Sequence, residues 1–357
     1  MTKTQNLINA LNVNDECLLI TSDINRAYFC GFADTDGYLA IFSDKAFMLT
    51  DSRFYEAAAQ NVTTPDISVL KSQKPFEQIN ELLKSKNCRE ILLENDNVTL
   101  TQFNKLKEKF PDCTVKGSEE LSREIKLLRA QKSETELQCI KKAQSIAETA
   151  FNEILSFIKP GIKEIEIAAE LEYIMRRNGS EGTAFDTIAL GGKNTSVPHG
   201  VPGEYEIQTG DFVLLDYGAT YEGYKSDMTR TVAVGSITQK QSEVYEIVLK
   251  AQKAALSAIR PGVICKDIDK AARDIIKENG YGENFGHGLG HSAGLEIHEA
   301  PNFNTRDETI LKPGHIMTVE PGIYIENTFG VRIEDMVYIT SDNYLNLTKA
   351  DKSLIIL

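Results

Sequence analysis

The sequence lacks several features that would place a protein of this size in a special class. It contains no run of about 18 apolar residues, and its start, MTKTQNLINALNVND, has no apolar core of a signal peptide. Its six cysteines form no CxxC pair, which argues against a disulfide framework and a thiolate zinc site. A basic surface is missing too, because the net charge of −13 disfavours nucleic acid and anionic membranes as partners. We expect a cytoplasmic protein with reduced thiols.

Length and composition indicate a globular protein with two domains. The chain has 357 residues, more than one core usually serves. Hydrophobic residues make up 41% and charged residues 25%, which is ordinary for globular chains. Its five histidines all lie in the second half: His199, His287, His291, His298 and His315. The sequence therefore predicts a functional site in the C-terminal part and a non-catalytic partner domain before it.

The first 120 residues alternate short apolar runs with helical patterns. Strands are expected at 17–21, 38–42, 46–49 and 91–94, and helices at 54–60 and 75–84. This alternation is typical of a three-layer α/β domain with a mixed sheet.

A long helical pattern follows over residues 123–158, where apolar residues recur at helical spacing. Within it, Ser133 followed by Glu136 fits a capping box and predicts a helix start. We place the domain boundary near residue 125, giving domains 1–124 and 125–357.

An internal repeat organises the second domain. Residues 159–179, KPGIKEIEIAAELEYIMRRNG, align without gaps on residues 260–280, RPGVICKDIDKAARDIIKENG, at an offset of 101. Each copy reads as a Pro-Gly turn, an amphipathic helix and a C-terminal glycine. Two unrelated helices could share the same Pro-Gly turn and C-terminal glycine. However, TGDFVLLDYGATY (209–221) also resembles PGHIMTVEPGIYI (313–325), which favours a duplicated unit folded about a pseudo-twofold axis.

Four acidic residues occupy matching positions in the two copies. Asp216 pairs with Glu320 at an offset of 104, and Asp227 pairs with Glu334 at an offset of 107. Each lies in or beside an apolar strand run, so burial is expected, and a buried carboxylate needs a cation or a hydrogen-bond partner. A single one would usually pair with arginine or cap a turn. Four brought together by a pseudo-twofold axis need more positive charge than the local Lys and Arg residues supply.

Two divalent cations would balance these charges. Carboxylates with one imidazole favour Mn²⁺, Co²⁺ or Fe²⁺ over a thiolate-type zinc site. Two metals about 3.5–4 Å apart can share and deprotonate a bridging water, which makes hydrolysis the natural reaction. His291 and His298 lie in the glycine-rich stretch FGHGLGHSAGLEIHEAP, and His199 aligns with His298 at an offset of 99. A lone histidine would more often be structural, but this position between the carboxylates favours function.

Five motifs carry a resemblance to a known family: VPHG, LLDYGATYEGYKSDMTRT, GHGLGHSAGLEIHE, TVEPGIY and GVRIEDMV. Together they closely resemble the M24, or "pita-bread", metallopeptidases, and within these the Xaa-Pro dipeptidase (prolidase) and Xaa-Pro aminopeptidase branch. The resemblance covers essentially the whole chain. It implies an α+β pita-bread catalytic domain, related to creatinase and the aminopeptidases, preceded by a smaller α/β domain. It also implies a homodimer.

The resemblance assigns roles to individual residues. It implies that the first metal is bound by Asp216, Asp227 and Glu334, and the second by Asp227, His291, Glu320 and Glu334. Glu320 would also accept a proton from the attacking water that bridges the metals. His199 and His298 match residues that hold the peptide and stabilise the tetrahedral intermediate. His287 and Arg332 match positions near the proline of the substrate. Arg332 lies two residues before Glu334 and is expected on the same strand face, where it could orient that carboxylate or meet a substrate carboxylate. Tyr224 is a weaker candidate for the cleft wall.

The implied activity is cleavage of a small peptide that has proline at its second position. The motifs do not separate a dipeptidase from an aminopeptidase acting on longer peptides, and we narrowly favour the dipeptidase. Mn²⁺ is the expected metal, with Co²⁺ and Zn²⁺ as alternatives. Two other hypotheses remain, a metal-free amidine hydrolase like creatinase and a non-enzymatic scaffold. Both are disfavoured because all five ligand positions are filled and the chain is acidic.

Overall fold

The fold is seen in a computed structural model that describes residues 1–32 and 36–357. The chain forms two compact units, Met1–Arg129 and Ala130–Leu357. The domain boundary expected near residue 125 falls within the helix Glu119–Ala130. Over the described ranges, we find no helix whose length and apolar character would let it cross a membrane.

The first unit is built on one six-stranded sheet. Its elements are α1 (Lys3–Leu11), β1 (Glu16–Ile20), α2 (Asp23–Cys30), β2 (Tyr38–Ile41), β3 (Ala46–Thr50), α3 (Tyr55–Asn61), β4 (Ile67–Lys71), α4 (Pro75–Ser85), β5 (Glu90–Glu94), α5 (Leu100–Lys109), β6 (Thr114–Ser118) and α6 (Glu119–Ala130). The strand order is β4-β3-β2-β1-β5-β6. Strands β1, β2 and β3 pair antiparallel, whereas β3–β4, β1–β5 and β5–β6 pair parallel. The predicted mixed sheet is therefore confirmed.

Strand β1 shows why this sheet reads as an apolar run rather than an alternating one. Its residues Cys17 to Ile20 are all buried, so both faces of the strand are covered. Cys17 and Leu19 pack in one cluster with Ile79 of α4 and Leu106 of α5. Helices therefore cover this face of the sheet, as an α/β layer arrangement requires.

The second unit contains the repeat. Its elements are α7 (Glu134–Ile154), α8 (Glu164–Arg177), β7 (Gly182–Thr183), β8 (Ile188–Gly191), β9 (Phe212–Tyr217), β10 (Ala219–Tyr221), β11 (Tyr224–Lys225), β12 (Met228–Ala233), α9 (Gln239–Ala258), α10 (Cys265–Glu278), β13 (Gly290–Ser292), β14 (Glu299–Phe303), β15 (Ile316–Val319), β16 (Gly322–Ile325), β17 (Phe329–Arg332), β18 (Asp335–Ile339) and β19 (Tyr344–Asn346). The capping box predicted at its start is confirmed. The Ser133 amide donates to Glu136 Oε2 at 2.7 Å, and the Glu136 amide donates to Ser133 Oγ at 3.4 Å.

Helices α8 and α10 confirm the internal repeat. Each is 14 residues long, and their first residues are separated by the predicted offset. Each is followed by a glycine with positive φ, Gly179 at 99° and Gly280 at 87°. A side chain at such a position would be strained, which explains why both copies end on glycine.

The strands of the repeat also match. In the first half β9 pairs antiparallel with β12, and in the second half β15 pairs antiparallel with β18. Asp227 immediately precedes β12, and Glu334 immediately precedes β18. Asp216 lies within β9, and Glu320 follows the last residue of β15. The duplicated strand pairs therefore carry all four predicted carboxylates at related positions.

Each half packs its helices on its own strands. Apolar residues of α7 and α8 form one buried cluster with β9 and β12. Residues of α9 and α10 form another with β15, β17 and β18. Because the apolar side chains of these strands pack against the helices, the polar side chains beside the strands remain available to form the site.

Candidate metal centre

Three buried carboxylates from the two halves meet at one point. Asp216 is 8%, Asp227 4% and Glu334 1% exposed. One carboxylate oxygen of each lies within 4.8 Å of the corresponding oxygens of the other two. Residues more than 100 positions apart in the sequence are thus brought together, as the repeat predicts.

His291 and Glu320 complete this group. His291 Nε2 lies 3.5 Å from Asp227 Oδ2 and 3.4 Å from Glu320 Oε1. Its Nδ1 lies 3.1 Å from the carbonyl oxygen of Ser292, which fits a proton on Nδ1. In that tautomer the Nε2 lone pair points towards the carboxylates and is free to bind a metal ion. The structure therefore assembles all five residues that were predicted as metal ligands.

The positive charges of the protein do not suffice to keep these carboxylates ionised. Burial, followed by repulsion from neighbouring acids, raises the pKa of Asp227 and of Glu334 well above their ordinary values. Burial likewise raises the pKa of Glu320 to about 8. Arg332 is hydrogen-bonded to Asp216 and supplies one positive charge against four acids. Further cations are needed for Asp227, Glu320 and Glu334 to ionise at neutral pH.

The donor atoms fit such cations. Asp216 Oδ1 and Glu334 Oε1 are buried and have no hydrogen-bond partner among the described residues, which is costly unless an ion occupies the space beside them. The second oxygen of Glu334 is held by Thr229 Oγ1 at 2.8 Å. Thr318 Oγ1 donates to Glu320 Oε1 at 3.2 Å. Ligand carboxylates oriented in this way by neighbouring hydroxyls are typical of metal sites, and an oxygen-rich set with one imidazole suits divalent ions.

The group opens into a cavity of about 720 Å³. The predicted residues His199, His287, His298 and Arg332 all line it. The ring centres of His298 and His291 are 4.4 Å apart. Further lining residues that the sequence did not single out are Ile165, Phe185, Asp186, Ile188, Val201, Ile297, Asn302 and Asn304.

Arg332 makes contacts that differ from those expected. Strand β17 ends at Arg332 and β18 begins at Asp335, so the expectation that Arg332 and Glu334 share one strand face is wrong. Arg332 is only 2% exposed, and besides Asp216 its guanidinium donates to the Tyr324 hydroxyl at 2.7 Å. The chain turn between the two strands redirects the guanidinium from Glu334 to Asp216.

Tyr324 links Arg332 to a cavity histidine. Its hydroxyl oxygen lies 2.9 Å from His287 Nε2, and His287 Nδ1 lies 2.7 Å from the carbonyl oxygen of Gly288. Because Arg332 donates to the hydroxyl, the hydroxyl proton is directed to His287. Burial, followed by the charge of Arg332, lowers the pKa of His287 to about 4, so this imidazole is neutral. The sequence contained Tyr324 within the motif TVEPGIY, but its spacing alone did not reveal this contact.

Tyr224 is the one predicted site residue that the structure does not bring to the cavity. Its hydroxyl donates to Glu136 Oε1 at 2.6 Å, and its ring packs on the apolar cluster that includes Leu137 and Ile140. Tyr224 is absent from the described residues that line the cavity. Its side chain points instead towards α7, whose capping-box glutamate holds the hydroxyl.

Comparison with known proteins then decides the family. The sequence profile of "Metallopeptidase family M24" matches residues 138–341, and that of the "Creatinase/Prolidase N-terminal domain" matches residues 2–130. The chain is a member of metallopeptidase family M24. The predicted enzyme class and fold class are thereby confirmed, and the carboxylate group lies inside the segment matched by the family.

The relatives of this M24 peptidase cover almost all of its length. It is 42% identical over 339 residues to an "Xaa-Pro dipeptidase" of Pyrococcus furiosus, which covers 95% of this chain and 94% of the relative. The structure of an "Xaa-Pro dipeptidase from Bacillus anthracis" superposes with a TM-score of 0.93 at 40% identity, covering 99% of both chains. An "X-Pro aminopeptidase from Thermotoga maritima" superposes with a TM-score of 0.90 at 36% identity, covering 98% of this chain and 100% of that one.

Proposed function

We propose that this M24 peptidase hydrolyses the peptide bond between an N-terminal residue and proline, acting as an Xaa-Pro dipeptidase with two divalent metal ions. The observation that carries the proposal is the set of buried carboxylates with unpaired oxygens beside the cavity. The names of two relatives, from Pyrococcus furiosus and Bacillus anthracis, support the substrate class.

The proposed ligands follow the resemblance. Asp216, Asp227 and Glu334 would hold the first ion, and Asp227, His291, Glu320 and Glu334 the second. The close approach of the first three side chains supports the first set. The placement of His291 Nε2 between Asp227 and Glu320 supports the second. Asp227 and Glu334 would then be shared by both ions.

Different residues of the chain carry out different steps of hydrolysis. When bound, divalent ions acidify water and polarise the scissile carbonyl group. Glu320 accepts the proton of the water that attacks the carbonyl carbon, and returns it to the proline nitrogen as the C–N bond breaks. His199 and His298, on the cavity wall, donate hydrogen bonds to the carbonyl oxygen as it gains negative charge.

Proline at the second position suits this cavity. The bond before proline is a tertiary amide without an N–H, so a peptidase cannot hold the substrate through that group. Apolar side chains of Phe185, Ile188 and Ile297 line the same cavity as the histidines. A compact pocket of this kind can recognise the ring itself. His287 and Arg332 are the proposed contacts on the proline side.

A second candidate is an Xaa-Pro aminopeptidase that acts on longer peptides. The cavity of about 720 Å³ extends along α8 to Ala168 and Glu172, which leaves room for more than two residues. The structural neighbour from Thermotoga maritima carries that name. Turnover of Ala-Pro and Ala-Pro-Ala separates the two activities. Faster cleavage of the dipeptide is expected, and faster cleavage of the tripeptide would select the aminopeptidase.

The metal requirement is tested on stripped protein. We expect activity on a peptide-length series to return when Mn²⁺, Co²⁺ or Zn²⁺ is added back, with two ions bound per chain at saturation. Fewer than one ion per chain would favour a scaffold. Full activity after exhaustive chelation would favour the metal-free amidine hydrolase.

Three finer assignments belong to the same proposal. Mn²⁺ is proposed as the metal because oxygen donors with one imidazole suit it. A cytoplasmic location is proposed because all six cysteines are free thiols, which fits a reducing compartment. A homodimer is proposed from the family resemblance alone. Metal analysis of protein purified from its own cells and light scattering of the eluted protein check the first and last of these.

A further inference from the structure

The segment 191–203 carries His199 and lines the cavity with its residues 198–202, and one buried carboxylate holds the segment at both ends. Glu164 is the first residue of α8 and is 1% exposed. Its Oε1 accepts hydrogen bonds from the Gly191 amide at 2.7 Å and from Asn194 Nδ2 at 3.0 Å. Its Oε2 accepts from the Gly203 amide at 3.1 Å. Three N–H donors and the positive end of the helix dipole therefore stabilise this charge.

The carboxylate joins two points of the chain that are 12 residues apart. Pro198, His199 and Val201, which line the cavity, lie between them. Backbone hydrogen bonds reinforce one end, because the Glu164 amide donates to the Tyr205 carbonyl at 3.0 Å. Glu164 thus holds both ends of the segment that carries His199, while Arg332 donates to the carbonyl oxygen of Pro198 at 3.4 Å in its middle.

In the second half of the repeat, other side chains hold the segment that carries a cavity histidine. Asp269 of α10 is fully buried and accepts a hydrogen bond from the Leu289 amide at 3.0 Å. Arg273, one turn later, pairs with Asp269 at 2.8 Å and donates to the carbonyl oxygen of His287 at 2.7 Å. Each of the two repeat helices therefore carries a buried acid that holds a histidine-bearing segment of the cavity.

We propose that Glu164 is a positioning residue for peptide hydrolysis, which acts by fixing His199 against the substrate. This inference rests on the proposed function. A glutamine cannot replace Glu164, because its amide offers one acceptor oxygen and turns an NH₂ group towards an N–H donor. At least one donor of the segment is then left unpaired in a buried place.

The test compares Glu164→Gln with Glu166→Gln. Glu166 lies in the same helical turn, is exposed, and accepts a single hydrogen bond from the Lys163 amide. We expect Glu164→Gln to lower kcat for Ala-Pro by about tenfold to a hundredfold, because small misplacements of a reacting group carry costs of that size. Metal content should stay at the wild-type value, and Glu166→Gln should retain wild-type kcat.

A double variant separates positioning from general weakening. If Glu164 acts through His199, Glu164→Gln combined with His199→Ala should have the same kcat as His199→Ala alone. Multiplying effects in the double variant would overturn the proposal. Loss of metal in Glu164→Gln would overturn it as well, since the carboxylate would then serve the whole site.

Hydrogen exchange of the metal-free protein gives a readout that needs no substrate. Exchange of residues 192–204 should be faster in Glu164→Gln than in wild type and Glu166→Gln, while residues 212–217 of β9 stay protected. Unchanged exchange in 192–204 refutes the inference. Faster exchange there, in a protein whose wild type cleaves no Xaa-Pro peptide, refutes the proposed function but not the role of Glu164 in holding the segment.

Asn194→Ala is the second variant if Glu164→Gln does not fold. It removes one donor and leaves the carboxylate bonded to Gly191 and Gly203. We expect a smaller decrease of kcat, about threefold to tenfold, with the metal retained. Wild-type kcat together with wild-type exchange in this variant would overturn the proposal.

Discussion

In the first half of the second unit, Asp216 lies inside β9, whereas in the second half its counterpart Glu320 follows the last residue of β15. The first half contributes two aspartates and the second two glutamates. The second half also contributes His291, which contacts Asp227 of the first half. The duplicated backbone thus places four acids in one group, while the side chains make the two proposed ion positions chemically unequal.

Each half also orients a ligand of the other. Thr229 of the first half donates to Glu334 of the second, and Arg332 of the second half is bonded to Asp216 of the first. These are different side chains at different positions, so they are not copies of one ancestral contact. A pseudo-twofold backbone can therefore support a site whose chemistry has no twofold symmetry.

The largest effect is expected from Glu334→Gln, which removes a proposed shared ligand. Metal content should fall below one ion per chain, and activity should be lost with it. Removing a ligand must cost more than the roughly 10- to 100-fold loss of affinity seen when an outer partner is removed. Exposed Glu326, in the same half, gives the control Glu326→Gln. Unchanged metal content in Glu334→Gln would contradict the shared assignment.

His199→Ala tests whether the first half supplies catalysis without binding metal. We expect two ions per chain to remain and kcat to fall by roughly 10²- to 10³-fold, the usual effect of losing a hydrogen-bond donor to the developing oxyanion. Steady-state kinetics on Ala-Pro together with metal analysis measure both quantities. A parallel loss of metal would show that His199 is a ligand and that the halves are more alike than the geometry indicates.

Thr229→Val tests the contact that reaches from the first half to the second. The variant keeps the shape of the side chain but removes the hydroxyl that bonds Glu334 Oε2 and accepts from Arg332 Nε at 3.1 Å. We expect metal affinity to fall by about 10- to 100-fold. Titration of stripped protein with Mn²⁺ measures it. Thr220→Val, which removes a hydroxyl bonded to the Thr183 carbonyl, should bind metal normally.

Stability of the metal-free protein should depend on pH in a defined window. The pKa of Glu320, raised by burial from 4.5 to about 8, means that the folded state binds a proton that the unfolded state has released. Stability therefore falls as pH rises from about 6.5 to 8, by about 1.5 kcal/mol from this residue. The buried histidines, whose pKa values are lowered from 6.5 to about 4, oppose this decrease by about 1 kcal/mol up to about pH 7.5, because the unfolded chain is still releasing their protons there.

Urea unfolding at pH 6.5 and pH 8 measures this effect, with and without metal. Saturating Mn²⁺ should abolish the decrease, because the ions hold Glu320 in its ionised form. A metal-free protein that gains stability between these pH values would show that the acids are ionised without metal. The acids of the two halves would then need no cation in order to ionise.

The smallest effect is expected from Tyr224→Phe. Its hydroxyl bonds Glu136 outside the cavity, so kcat and metal content should match wild type. Stability should decrease by about 1 kcal/mol through the lost hydrogen bond. A clear decrease of kcat without a change in stability would support the original prediction that Tyr224 lies in the cleft wall.

Features that depend on local patterns could be read from the sequence. The helix starts, the mixed sheet and the duplicated unit follow from caps, apolar runs and glycine positions, and the structure has all of them. The acids could be grouped because the offsets of Asp216/Glu320 and Asp227/Glu334 are nearly equal. Pattern and spacing suffice wherever the backbone alone decides the outcome.

Contacts that depend on the direction of a side chain could not be predicted from the sequence. The break between β17 and β18 sends Arg332 to Asp216 instead of Glu334, and a bond to Glu136 keeps Tyr224 out of the cavity. Thr229 and Tyr324 act through a single hydroxyl whose partner lies far away in the sequence. Periodicity carries no information about such pairings, since they depend on how separate strands meet.

The contacts exchanged between Thr229, Glu334, Arg332 and Asp216 make the two halves mutually dependent. A chain cut at the exposed Ser236, between β12 and α9, would yield two fragments that each retain two acids. The first fragment would lack the guanidinium for Asp216, and the second would lack the hydroxyl for Glu334. Neither fragment could serve as a smaller peptidase, and activity would return only by complementation.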